Sequence, residues 1–215
     1  CTQAQANGIA EALILAETIL NGSPAALILG DNVFFGQHLS FMLEEAVGQP
    51  GATVFACHVK DPHRYGIVEC DPSGKAISIA EKPKQPKSNF AVTGLYFYDQ
   101  QAIGFAKELK PSARGELEIT DINHRYLRLN QLNVKRLGRG FTWFDIGTHE
   151  TLTAASQFIQ TFEARQNYKI ACPEEVAWNM KFIDDKQLNI LAQQYQHNDY
   201  GKYLLQLVQE ESLCT

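Results

Sequence analysis

Short apolar runs of strand type alternate with amphipathic helical patterns along most of this chain. That alternation limits the fold more than any other feature of it. Ala25-Ala-Leu-Ile-Leu29 is an apolar run stopped by Gly30-Asp31-Asn32, the length and composition of a buried strand. A helical pattern precedes it, with Ala12, Leu15, Ala16 and Ile19 on one face and Asn21-Gly22-Ser23-Pro24 as its stop. Another follows, with Leu39, Met42, Leu43, Ala46 and Val47 on one face, and Gln49-Pro50-Gly51 breaks it. Strand-type runs recur over 52–59, 91–98, 132–137 and 141–144, and helical ones over 100–109, 117–129, 186–195 and 200–208. A further helix opens at Thr148 or His149, with Leu152, Ala155, Ile159 and Phe162 on one side. Such alternation predicts an α/β protein, a Rossmann-like mixed and mainly parallel sheet with flanking helices. An antiparallel addition is expected where Tyr65–Glu69 and Lys75–Ile79 flank the turn Asp71-Pro72-Ser73-Gly74. The pattern changes after residue 165, so 1–165 reads as one α/β domain and 166–215 as its short helical C-terminal extension.

At 215 residues and 45% hydrophobic, the chain is long enough to bury a sizeable core. A net charge of -5 argues against a nucleic-acid partner. No stretch approaches the roughly 20 apolar residues of a membrane span. Five cysteines without a CxxC pair define neither a zinc site nor a disulfide framework. Reduced thiols and a cytoplasmic setting are the expectation.

Two acidic residues stand out. Asp31 and Asp145 each follow a strand-type run and precede small or turn-forming residues. Ligands of open α/β sheets bind beyond the carboxyl ends of strands. Two carboxylates delivered there could share one Mg²⁺, which takes few protein ligands and leaves positions for water and phosphate. Taken alone, an Asp in this setting is more often a turn former. The hairpin supplies a second constellation, because its open ends bring Arg64-Tyr65-Gly66 beside Glu81-Lys82-Pro83. Gly66 would let a ligand approach the backbone, Glu81 could accept bonds from sugar hydroxyls and Lys82 could neutralise a phosphate. Arg114, ahead of a helix start, could grip a phosphate bidentately. The bland alternative is a solvated Glu-Lys pair and an acidic first helical turn.

These segments occur in a fixed order: Leu29-Gly-Asp-Asn32, Arg64-Tyr-Gly-Ile-Val-Glu69, Glu81-Lys-Pro83, Val92-Thr-Gly-Leu-Tyr-Phe-Tyr-Asp99, Arg114-Gly-Glu-Leu-Glu-Ile-Thr-Asp121 and Trp143-Phe-Asp-Ile-Gly-Thr148. With Cys172-Pro-Glu-Glu175 and Asp199-Tyr-Gly-Lys-Tyr203, the set resembles the glucose-1-phosphate thymidylyltransferases of the sugar nucleotidyltransferase family, from about Gln3 to Tyr203. The resemblance implies the nucleotide-diphospho-sugar transferase fold, with dTTP and glucose 1-phosphate as substrates, dTDP-glucose for deoxysugar synthesis as product, and a homotetramer. It implies Asp31 and Asp145 as Mg²⁺ ligands and Lys82 and Arg114 on the sugar phosphate. Tyr65, Gly66, Glu81 and Val92 would line the glucose pocket, with Gln3 and Gly8 facing the base. In-line attack of the sugar phosphate on the α-phosphorus needs no covalent enzyme intermediate. A uridylyl- or other sugar-1-phosphate nucleotidyltransferase of the same fold is the nearest alternative, and a non-catalytic sugar-phosphate-binding subunit is a more distant one. A nucleotide-sugar glycosyltransferase would show D-x-D, which Asp31-Asn32-Val33 is not.

The chain departs from the family pattern in two ways. Gly8-Ile-Ala-Glu-Ala12 stands where the family commonly has Gly-Leu-Ala-Gln-Ala, which leaves base preference open. The glycine-rich G-G-x-G-T-R loop that cradles the triphosphate is not in the sequence. The expectation is therefore a first βα unit missing from this chain, and a chain inactive and poorly soluble in that form.

Overall fold

A computed structural model describes residues 1–214. Contacts divide the chain into two compact units, Cys1–Gly147 and the remainder from Thr148.

In the first unit the sheet is built around β6 (Phe90–Tyr98), a nine-residue strand buried along nearly its whole length. Two strands pair with the same end of it. β1 (Ala25–Ile28) sets Ala25 opposite Tyr98, and β3 (Ala52–His58) sets Ala52 opposite Tyr98. They must therefore occupy opposite edges of β6. At its other end β6 meets β4 (Gly66–Cys70) through Ile67 and Ala91, and β4 pairs in turn with β5 (Ala76–Glu81). β7 (Leu132–Arg136) adds alongside β3.

The α/β class and the mixed sheet are as the sequence implies, but the balance of directions is not. Among the described ladders of this sheet only β3–β7 is parallel. β1, β3 and β7 all run one way, and β6 is inserted against them, which turns potential parallel neighbours into antiparallel ones.

Strand alternation sorts side chains to the two faces. Val54, Ala56, Val92, Tyr96 and Tyr98 face Ile119, Ile122 and Tyr126, together with α1 (Glu11–Leu15), α4 (Gln101–Lys107) and α5 (Ile119–Arg128). Phe55 and Leu95 face the other way, towards Met42, Leu43 and Ala46 of α3 (Leu39–Val47). Two tyrosine hydroxyls in this core are partnered: Tyr98 Oη donates to Asn123 at 2.7 Å and Tyr126 Oη to Asp99 at 2.6 Å.

Three local expectations change. The first helix is two short pieces, α1 and α2 (Glu17–Leu20), joined through Ala16. α5 starts at Ile119 rather than Leu117, because the Leu117 backbone is bonded elsewhere, to Asn7 and Ala10. Asn32–Phe35 forms a strand, β2, that the sequence reading passed over; it pairs antiparallel with β8 (Thr142–Asp145) as a separate ribbon.

The second unit is helical: α6 (His149–Gln166), α7 (Pro173–Asn179), α8 (Asp185–Gln194) and α9 (Asp199–Cys214). Capping boxes, Thr148 with Thr151 and Asp184 with Gln187, start α6 and α8. Its core gathers Trp178, Leu188, Ala192, Tyr203 and Leu204. The division after Gly147 differs from the boundary after residue 165 read from the sequence. The end of α6 is tied into this unit, since Lys169 pairs with Glu163 at 2.6 Å and Asn167 bonds Gln206 at 2.9 Å. No helix among the described residues is long and apolar enough to cross a membrane.

Candidate active site

A cavity of about 150 Å³ opens where β4, β5, β6 and β8 converge, lined among others by Tyr65, Gly66, Glu81, Lys82, Val92 and Asp145. Register places these residues together. The β4–β5 ladder sets Gly66 opposite Glu81, and the Lys82 amide returns to the Tyr65 carbonyl at 3.0 Å. A Cβ on Gly66 would lie 3.2 Å from a Glu81 carboxylate oxygen, so glycine keeps that side of the carboxylate open. Thr120 Oγ1 donates to Glu81 Oε2 at 2.6 Å and fixes its orientation. Lys82 sits at φ 40°, a left-handed conformation for a side-chain-bearing residue. Such backbone costs about 1–3 kcal/mol and persists where its surroundings over-determine it. Tyr65 packs on Trp143 with ring centroids 5.2 Å apart, forming an aromatic wall.

The two aspartates meet by a route the sequence reading did not foresee. They do not lie beyond the ends of neighbouring parallel strands. Asp31 precedes β2, Asp145 ends β8, and the ribbon sets Asn32 opposite Asp145. The Ile146 amide closes the ribbon on the Asp31 carbonyl at 2.8 Å. Asp145 lines the cavity, and Asp31 is exposed beside it. Partial burial raises the Asp145 pKa, the Asp31 charge raises it further, and Arg64 and Lys82 oppose the shift. Two carboxylates close enough to feel each other, one of them short of solvent, suit a hard divalent cation. Among the described residues no His, Cys, Asp or Glu group of three or more forms a metal cage. A pair of carboxylates is a donor set that fits an ion taking most of its ligands from water and phosphate.

Arg114 stands behind Glu81, outside the cavity lining. Its Nε and Nη2 grip Glu118 at 3.1 and 2.7 Å, and Nη2 lies 3.5 Å from Glu81 and 3.6 Å from Glu116. The fork that the sequence reading gave to a phosphate is thus occupied by Glu118. That carboxylate is nearly buried and also takes a 2.7 Å bond from Ser112 Oγ.

Gln3 and Gly8 also lie off the lining, whereas Ile9 is part of it. Gln3 Nε2 donates to Glu11 at 2.5 Å and to the Gly8 carbonyl at 3.2 Å, while Asn7 Nδ2 donates to the other Glu11 oxygen at 3.0 Å. These two amides hold the Glu11 pKa below the usual carboxylate value, Asn7 more than Gln3. The segment docks on the Arg114 loop: Leu117 N donates to Asn7 O at 2.6 Å and Ala10 N to Leu117 O at 3.3 Å. Gly8 has φ +105°, and a Cβ there would stand 2.4 Å from Leu117 O.

Sequence reasoning missed Asn32, Gly94, Thr120 and Trp143 as site residues. Asn32 Oδ1 accepts from Gly94 N at 2.9 Å and Trp143 Nε1 at 2.6 Å, and its Nδ2 donates to Asp31 at 2.8 Å. An Asn directly after Gly-Asp at a strand boundary was the available signal. Its partners 62 and 111 residues away left no local trace.

The profile of the nucleotidyl transferase family matches residues 1–161. A glucose-1-phosphate thymidylyltransferase of Neisseria meningitidis is 50% identical over 97% of this chain and 73% of its own length. The Mycolicibacterium smegmatis enzyme of the same name is 46% identical over 97% of this chain and 73% of its own length. Among solved structures, a Bacillus anthracis protein assigned as a glucose-1-phosphate thymidylyltransferase aligns with TM-score 0.64 at 44% identity. That alignment covers 73% of this chain and 62% of the solved one, so the chain spans less than two thirds of that structure. UDP-glucose pyrophosphorylase complexed with UDP-glucose, at TM-score 0.63, 22% identity and coverage of 76% of this chain and 65% of that one, shares the fold.

Proposed function

The chain belongs to the nucleotidyl transferase family, among its glucose-1-phosphate thymidylyltransferases, and from that membership we propose that it joins dTTP and glucose 1-phosphate into dTDP-glucose and pyrophosphate. One observation carries the reading furthest. A sugar-hydroxyl acceptor (Glu81), a phosphate cation (Lys82) and a carboxylate of the acidic pair (Asp145) share one cavity.

In the reaction, an oxygen of the sugar phosphate forms a bond to the α-phosphorus of dTTP. The bond from that phosphorus to the bridging oxygen breaks, and pyrophosphate leaves with the electron pair. Lys82 and Arg114 hold the sugar phosphate and offset its charge as it approaches the anionic nucleotide. Gly66, Glu81 and Val92 orient the glucose against the Tyr65–Trp143 wall. Gln3 and Gly8 face the base. Asp31 and Asp145 would hold Mg²⁺, which when bound neutralises phosphate charge. The homotetramer implied by the resemblance and the cytoplasmic setting expected from the cysteines belong to the same reading.

The test measures pyrophosphate release by the full-length protein with glucose 1-phosphate and each of dTTP, UTP and CTP, with Mg²⁺ and with chelator. Turnover fastest with dTTP and abolished by chelation is the expected result. Preference for UTP would make the protein a uridylyltransferase. Nucleotide-independent sugar-phosphate binding without turnover would make it a binding subunit.

A further inference from the structure

Three carboxylates stand around the Arg114 guanidinium: Glu118, Glu81 and, at 3.6 Å, Glu116. Glu118 takes the Nε–Nη2 edge with bonds of 3.1 and 2.7 Å, whereas Glu81 stands 3.5 Å from the same Nη2. Glu118 is placed to prevail. It is only 9% exposed, so water weakens its hold little. Ser112 braces both partners, donating through Oγ to Glu118 at 2.7 Å and accepting the Arg114 backbone amide at 3.1 Å. Glu81 keeps its stronger bond with Thr120 at 2.6 Å. The remaining guanidinium nitrogen, Nη1, has no protein partner among the described residues.

We propose that Glu118 is a positioning residue for the sugar-phosphate half of the site: it holds Arg114 off Glu81, leaving the Glu81 carboxylate for sugar hydroxyls and the free Nη1 edge for the phosphate. The inference rests on the function proposed above. Pinning a long side chain before the ligand arrives lowers the ordering cost of binding. It also stops an internal Arg114–Glu81 pair from closing the site to its ligand.

The experiment compares the wild-type protein with Glu118→Gln, which keeps side-chain size but loses the charge and one acceptor. Released from Glu118, Arg114 should close on Glu81. The expected result is a KM for glucose 1-phosphate raised by about tenfold or more, with the dTTP KM and the melting temperature essentially unchanged. Glu118→Asp, which keeps the charge but falls one methylene short of the fork, should lie between the two. Unchanged KM for glucose 1-phosphate would overturn the proposal. So would a parallel loss for both substrates with a fallen melting temperature, because that marks a general structural role. Calorimetric titration with glucose 1-phosphate separates this inference from the reading beneath it. A wild-type protein that releases no pyrophosphate but binds glucose 1-phosphate more tightly than Glu118→Gln supports the positioning role and rejects the transfer reaction. A wild-type protein that binds no glucose 1-phosphate overturns both.

Discussion

Glu11 collects one bond from each of two side-chain amides, Gln3 and Asn7. Its carboxylate therefore works as an acceptor that ties Gln3 and Asn7 to the first turn of α1. Because its folded pKa lies below the ordinary value, the stability it contributes is fully present above about pH 4.3, the usual Glu value. That contribution disappears as pH falls through the lowered one. Wild type should melt above Glu11→Gln at neutral pH, with the gap closing in acid; a gap independent of pH would remove Glu11 from this role. Asp145 has the opposite sign. Burial and the Asp31 charge disfavour its ionised form, so Asp145→Asn, melted in chelator, should be as stable as wild type or more so. Its turnover should fall by about 10²-fold or more, the scale on which a site loses a preorganised electrostatic group. A variant that melts early and retains its rate would show that Asp145 is structural.

At the level of elements, the β2–β8 ribbon and the docking of residues 7–10 on Leu117 decide the site. The ribbon exists because Val33-Phe34-Phe35 can pair with Phe144-Trp143-Thr142. Asn32 then ties it to Gly94 of β6. The docking depends on Gly8, whose positive φ and contact with the Leu117 carbonyl leave no room for a side chain. Gly8→Ala should cost at least about 1–3 kcal/mol, measured by urea unfolding. It should also weaken glucose 1-phosphate binding, since the loop that carries Arg114 loses its anchor. A variant as stable as wild type would mean that the segment docks in another way.

Across the whole molecule, each compact unit carries its own tryptophan. Trp143 lines the cavity in the first, and Trp178 lies in the helical core of the second, donating to Asp185 at 2.8 Å. Glucose 1-phosphate should change the emission of a Trp178→Phe variant and leave that of Trp143→Phe unaltered. In the Trp143→Phe background, Leu204→Ala removes a fully buried side chain of the helical core. It should lower the stability reported by Trp178 by about 2–5 kcal/mol. A loss under 1 kcal/mol would show that this core is not close-packed.

Much of this was legible in the linear chain, because it depends on local periodicity and on motifs. Apolar runs of strand length gave the positions of β1, β3 and β6, and helical spacing gave α3, α4 and the helix from Thr148. The turn Asp71–Gly74 predicted the hairpin that brings Gly66 beside Glu81. Strand direction was not legible, since an apolar run reads the same in either direction; only pairing against β1 and β3 made β6 antiparallel. Nor was the partner of a charge. Arg114 and Glu118 are four residues apart in sequence, yet the choice of Glu118 over Glu81 for the guanidinium fork depends on burial and reach. Motif and period named the residues of the site. Register, burial and competition between neighbours, which exist only in three dimensions, settled how those residues bond to one another.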